Sequence, residues 1–221
     1  MHSGAKVEAE LACDSLRLVL VRHGQTQANI DRVLDMALPG GGLTDLGRRQ
    51  ASLLGAQLAA RAEGSVTAVF SSVARRALET ASILADHLGV VAQVLDGVHE
   101  VQVGYLEGQR GADSMAVMSA IYHRWARGEL DVAIEGGGES GLDLVARFSA
   151  VIGRVCAIFP ENATLILITH GIALRIVARY LVNNAGTPSA EDDYIDNCGR
   201  VVLQRSGESW RLVRWLRSTG S

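Results

Sequence analysis

The hydrophobic pattern of the chain alternates between two signatures. Short unbroken apolar runs recur at RLVLV (17–21), VTAVF (66–70), VVAQVL (90–95) and TLILIT (164–169). Runs of this length, rich in Val, Leu and Ile, suit strands buried on both faces. Between them the apolar positions fall into helical spacing. Thr44 reads as an N-cap opening TDLGRRQASLLGAQLAARA, where Leu46, Leu53, Leu54 and Leu58 share one face and Gly64 stops the helix. Ser71 and Ser72 cap ARRALETASILADHLG, which ends at Gly89. Residues 96–135 are less periodic, with one helix expected in IYHRWARGEL. After the EGGGES turn (135–140), Leu142, Val145, Phe148, Ile152, Val155 and Phe159 keep helical spacing. IALRIVARYLV (172–182) follows TLILIT as a helix, and RVVLQRS and WRLVRWL are expected as two weaker closing strands.

Strands alternating with helices predict an α/β fold with a mostly parallel central sheet. No linker divides the chain, so residues 16–221 are expected to form a single domain after a flexible N-terminal tail, 1–15. The 221 residues are 48% apolar and 20% charged, ordinary values for a globular domain. A net charge of −3 gives no reason to expect nucleic acid or an anionic membrane as partner. No apolar run approaches the roughly 20 residues of a membrane span. Cys13, Cys156 and Cys198 are scattered and form no disulfide framework or Cys-x-x-Cys pair. With no signal-like stretch near the N-terminus, a reducing, cytoplasmic setting is expected.

Two of the apolar runs end alike, as LVLVRHG (18–24) and LILITHG (165–171). Ligands of open α/β sheets bind beyond the carboxyl ends of the strands. That rule brings His23 and His170 to one end of the sheet, with Arg22, with Arg75 after the second strand, and with Glu100 after the third. One His-Gly after a strand is ordinary turn chemistry, the glycine supplying a positive φ. Two of them, with arginines at equivalent strand ends, describe an anion site. Guanidinium groups match phosphate oxygens as a bidentate fork. A neutral imidazole can attack phosphorus, while a carboxylic acid supplies the leaving oxygen with its proton. Two histidines and a glutamate could also ligate zinc. However, His-Glu-x-x-His spacing is absent, and the arginines would repel a dication, so no metal and no cofactor are expected.

Arg22-His23-Gly24-Gln25-Thr26 with Asn29, LTDLGRRQA (43–51), SSVARRALETA (71–81), HEVQVGYLEG (99–108), GGES (137–140) and THG (169–171) together resemble the histidine phosphatase superfamily, also called phosphoglycerate-mutase-like. The resemblance runs from about 17 to 182. It implies a three-layer α/β/α sandwich and a phosphohistidine intermediate on His23. Glu100 is implied as the proton donor, and His170, Arg22, Arg75, Asn29 and Thr26 as the phosphate pocket. Arg76, adjacent to Arg75, is left to the surface, and Glu107 to a structural role. His87 and His123 read as surface or helix residues, and His99 as facing away from the acid.

Mutases of this family have a Trp before the Asn of the phosphate loop, where this chain has Ala28. The resemblance is therefore to the phosphatase branch, a histidine acid phosphatase-type phosphoric monoester hydrolase acting on a small phosphorylated metabolite. A phosphoglycerate-mutase-type phosphoryl transfer and a non-catalytic phosphate-binding member are the alternatives. Residues 105–135 are expected to cap the pocket, with Arg110, Tyr122 and Arg124 as candidates for a second substrate group. The closing strands either pair across a homodimer or finish the sheet.

Overall fold

A computed structural model describes residues 15–60 and 66–217; Gly64, Cys13 and nearly all of the expected tail lie outside them. Its elements are β1 (Arg17–Arg22), α1 (Gln27–Asp31), α2 (Asp45–Ala60), β2 (Val66–Ser72), α3 (Arg75–Leu88), β3 (Ala92–Leu95), α4 (Ala112–Ala126), α5 (Gly141–Cys156), β4 (Thr164–Thr169), α6 (Gly171–Leu181), β5 (Arg200–Ser206) and β6 (Ser209–Leu216). The sheet runs β3-β2-β4-β1-β5-β6. The first four of these strands are mutually parallel, whereas β5 is antiparallel to β1 and β6 to β5.

Strand alternation divides the core in two. Leu18, Leu20, Leu165 and Leu167 pack on one face with Leu144, Phe148 and Leu174 from α5 and α6 and Trp125 from α4. Val19, Val21, Ile166 and Ile168 pack on the other with Ala51 and Leu54 from α2 and Ala81 and Leu84 from α3. Both faces of the central strands are thus covered, which is why their sequences read as continuous apolar runs. The outcome is a mixed α/β fold, a six-stranded and mostly parallel sheet between helical layers.

The structure corrects some local expectations. In α2 the buried stripe is Gly47, Ala51, Leu54 and Gly55, and Leu46 and Leu53 are exposed. The stripe is small because neighbours come close: a Cβ on Gly47 would run into the backbone of Gln25, and one on Gly55 into His87. Helix α5 ends at Cys156, short of Phe159. β3 is a four-residue edge strand beginning at Ala92, two residues later than expected. The irregular middle resolves into a helical turn at Gly104–Leu106 and then α4, longer than the segment anticipated.

The topology positions the site. β1 and β4 are adjacent and parallel, with Arg22 paired to Thr169, so His23 and His170 leave the sheet side by side. β2 lies on the other side of β4 and delivers α3 to the same edge.

Candidate active site

Beyond this edge lies a cavity of about 690 Å³ whose lining includes Arg22, His23, Thr26, Asn29, Arg76 and Glu100. His23 is buried, and its Nδ1 lies 2.8 Å from the carbonyl oxygen of Gly24. A carbonyl only accepts, so Nδ1 carries the proton and Nε2 keeps its lone pair. Burial holds the His23 pKa well below its usual value, assisted by the Arg76 and Arg22 charges. The imidazole is therefore neutral, as a nucleophile must be.

His170 stands edge-on to His23, ring centroids 5.2 Å apart. Its Nδ1 accepts from Arg76 Nε at 3.3 Å, which leaves the proton on Nε2, 2.7 Å from Ser72 Oγ. Burial and the Arg76 charge hold its pKa well below the usual range too. With both nitrogens engaged and no surface exposed, His170 backs the cluster and does not line the cavity.

The second arginine of the pocket is Arg76, not Arg75. Arg76 is 2% exposed and lines the cavity, while the Arg75 side chain is 64% exposed and paired to Glu79 at 2.9 Å. Helix α3 begins at Arg75, and successive helical residues point about 100° apart, so only one can turn inward. The helix phase selects Arg76. Arg22 is braced from behind: Nη1 donates to Tyr194 Oη at 3.0 Å and to the carbonyl of Ile195 at 2.7 Å. Among the described residues, Nε of Arg22 and Nη1 of Arg76 are buried without a hydrogen-bond partner. Two such donors at one cavity suit an anionic ligand, since a buried unpaired N–H is costly.

Thr26 and Asn29 form a reciprocal capping box at the start of α1. Asn29 Oδ1 accepts from Thr26 N and from Asn197 Nδ2, leaving its own amide N–H groups available to a ligand. Glu100 is 4% exposed. Its Oε1 accepts from Val101 N and Ala173 N, and its Oε2 from Ile172 N, which seats the carboxylate at the start of α6. Oε2 retains a lone pair for a proton.

The family model of the histidine phosphatase superfamily (branch 1) matches residues 18–218. The chain belongs to this superfamily. Probable phosphoglycerate mutase GpmB of Proteus mirabilis is 30% identical over 210 residues, covering 92% of this chain and 92% of that one. PE-PGRS family protein PE_PGRS11 of Mycobacterium tuberculosis is 28% identical over 214 residues, 91% of this chain, but the match spans only 36% of that longer protein. The solved structure of mycobacterial glucosyl-3-phosphoglycerate phosphatase Rv2419c in complex with VO3 superposes with a TM-score of 0.76 at 29% identity, covering 91% of this chain and 99% of that one.

Several features of this histidine phosphatase site escaped the sequence. Asn197 Nδ2 bridges the His23 carbonyl and Asn29 Oδ1, each at 3.0 Å, so it ties the nucleophile's loop to the phosphate loop. Tyr194 and Asn197 come from an irregular segment with no periodicity to mark it. His123, read as a surface or helix residue, lies in α4 and lines the cavity, as does Tyr122, whereas Arg110 and Arg124 do not. Arg124 instead pairs with Glu129 at 2.7 Å. The Glu107 carboxylate accepts from Met36 N, an anchor for the loop after α1. Among the described residues, no three His, Cys, Asp or Glu side chains cluster as metal ligands. No described helix is long and apolar enough to cross a membrane.

Proposed function

We propose that this histidine phosphatase superfamily member is a phosphatase that hydrolyses small phosphate monoesters through a phosphohistidine on His23, without a metal. The observation that carries the reading is a neutral imidazole with Nε2 free, beside two arginines that each keep a buried N–H without an acceptor. The related mycobacterial glucosyl-3-phosphoglycerate phosphatase has been solved in complex with the oxyanion VO3, which supports reading this fold as one that takes phosphate-like groups.

In the first step His23 Nε2 attacks phosphorus and the P–O bond to the ester oxygen breaks. Glu100, protonated, transfers its proton to the leaving alkoxide. Arg22, Arg76 and the Asn29 amide stabilise the transferring oxygens. In the second step water attacks phospho-His23, Glu100 takes the water's proton, and phosphate leaves with His23 restored. His170 is a positioning residue here: it fixes the Arg76 guanidinium and packs against the His23 ring.

The test is a single turnover with a labelled phosphate ester, quenched in alkali, with peptide mass spectrometry. The expected result is an acid-labile, alkali-stable phosphate on His23, with free phosphate as the steady-state product. Label absent from His23, or normal turnover by His23→Ala, would refute the mechanism. Isomerised ester in place of free phosphate would point to a mutase.

A further inference from the structure

Three methionines, Met36, Met115 and Met118, line the cavity, and the only other methionine in the chain is Met1. Met115, Met118, Ser119 and Tyr122 occupy positions i, i+3, i+4 and i+7 of α4, so one stripe of this helix faces the chemistry. Met36 comes from a separate segment, the loop fastened by Glu107. Methionine is flexible and polarizable and makes favourable sulfur contacts with aromatic rings. A cavity of about 690 Å³ falls in the range of pockets that enclose a drug-sized molecule, so most of it lies beyond the phosphate.

Several polar groups of this outer wall are already bonded within the protein. Tyr122 Oη donates to the buried Asp193 carboxylate, and Tyr194 Oη accepts from Arg22. Arg175 gives Nε to the carbonyl of Gly171 and Nη1 to Asp193, and its guanidinium stacks 4.0 Å from the Tyr122 ring centre. Ser119 Oγ pairs with His123 Nδ1. A wall that selects a sugar or polyol needs hydroxyl partners held in readiness, because such a site discriminates by leaving them unpaired with the wrong substrate. This wall holds few, and Arg32 and Glu191 stand exposed at its rim.

We infer that the leaving group of the preferred substrate carries an aromatic or extended apolar body, seated against the methionine wall. The inference rests on the phosphatase reading for where the phosphate sits. The probes are naphthylmethyl phosphate and glycerol phosphate, which both release an alkanol and so differ mainly in the body presented to the wall. Wild type should favour the naphthylmethyl ester in kcat/KM by at least about tenfold, the discrimination that apolar pockets give for small differences in apolar contact. The double variant Met36→Ala/Met115→Ala should bring that ratio close to unity, and Met36→Leu/Met115→Leu should keep most of it. A wild-type ratio at or below one, or a ratio the alanine variant leaves intact, overturns the inference. If neither ester is hydrolysed, the phosphatase reading has failed and binding decides the subsite. Naphthylmethylphosphonate binding about tenfold tighter than methylphosphonate upholds it; equal binding overturns it.

Discussion

The adjacent arginines Arg75 and Arg76 allow a sharp test, because one residue type at neighbouring positions occupies opposite environments. In Arg76→Ala the cavity loses a buried guanidinium whose Nε holds His170 at 3.3 Å and whose Nη1 makes no hydrogen bond, with only the Asp35 carboxylate 4.0 Å away. Removing one preorganised donor from a developing oxyanion typically costs about 3–4 kcal/mol, or about 10²–10³ in turnover. Arg75→Ala breaks an ion pair to Glu79 whose arginine is 64% exposed. Exposed pairs contribute less than about 1 kcal/mol to stability, and none of that bears on turnover. The assay is phosphate release under saturating ester, with urea unfolding of each variant to separate activity from stability. The pH profile supplies a second readout. The Arg76 charge helps hold the His23 pKa down, so its removal raises that pKa. His23 must be neutral to attack, so the acid limb of the rate profile moves to higher pH in Arg76→Ala. Greater loss of turnover in Arg75→Ala, with Arg76→Ala near wild type, would refute the assignment.

Other consequences can be tested alongside. His23 and His170 stay neutral when folded at pH values where the unfolded chain protonates them, so acid favours unfolding. Stability should be flat above pH of about 6.5 and fall below it by up to about 1.4 kcal/mol per pH unit per histidine, readable in urea melts; a melt independent of pH down to about 5 would contradict the burial of both. Asn197→Ala removes the bridge between the His23 carbonyl and Asn29, so turnover should drop with a stability loss of about 1–2 kcal/mol, and unchanged kinetics would show that the bridge positions nothing. Chelator should leave phosphate release unchanged, and its abolition, restored by added metal, would sink the metal-free mechanism. Asp193→Asn weakens a buried carboxylate shared by Arg175 and Arg179, so urea unfolding should register a loss of about 3 kcal/mol or more, and a wild-type midpoint would refute that role.

How far the sequence could be read depended on whether a position's environment repeats along the chain. LVLV and LILIT are legible because a strand covered on both faces has no polar positions to interrupt it. His23 and His170 follow directly from where those strands end. The Arg75/Arg76 choice is different. It depends on the phase with which α3 leaves β2, and Ser72 remains in the strand where sequence suggested a cap, so the helix starts at Arg75 with Ala74 before it. The α2 face misled for a related reason: leucines signal burial, but the contact with the Gln25 loop and His87 requires Gly47 and Gly55. Tyr194 and Asn197 belong to a segment with neither period, whose path is set by the buried Asp193. Nothing local could announce that it braces Arg22 and His23.

The position of β4 also governs when this protein can become active as it is made. β4 is the fourth strand in the chain, yet it lies between β2 and β1 and pairs along both. Until it inserts, the two earlier strands have no direct pairing, and their link runs outside the sheet, through α2 packed on α3 and Gly24 N bonded to Thr80 Oγ1. A ribosome must therefore release the segment through Thr169 before β1 and β2 are held in one sheet, and through His170 before the imidazole that bonds Arg76 and packs on His23 is in place. On the phosphatase reading, activity should therefore appear only once the sheet has closed around β4.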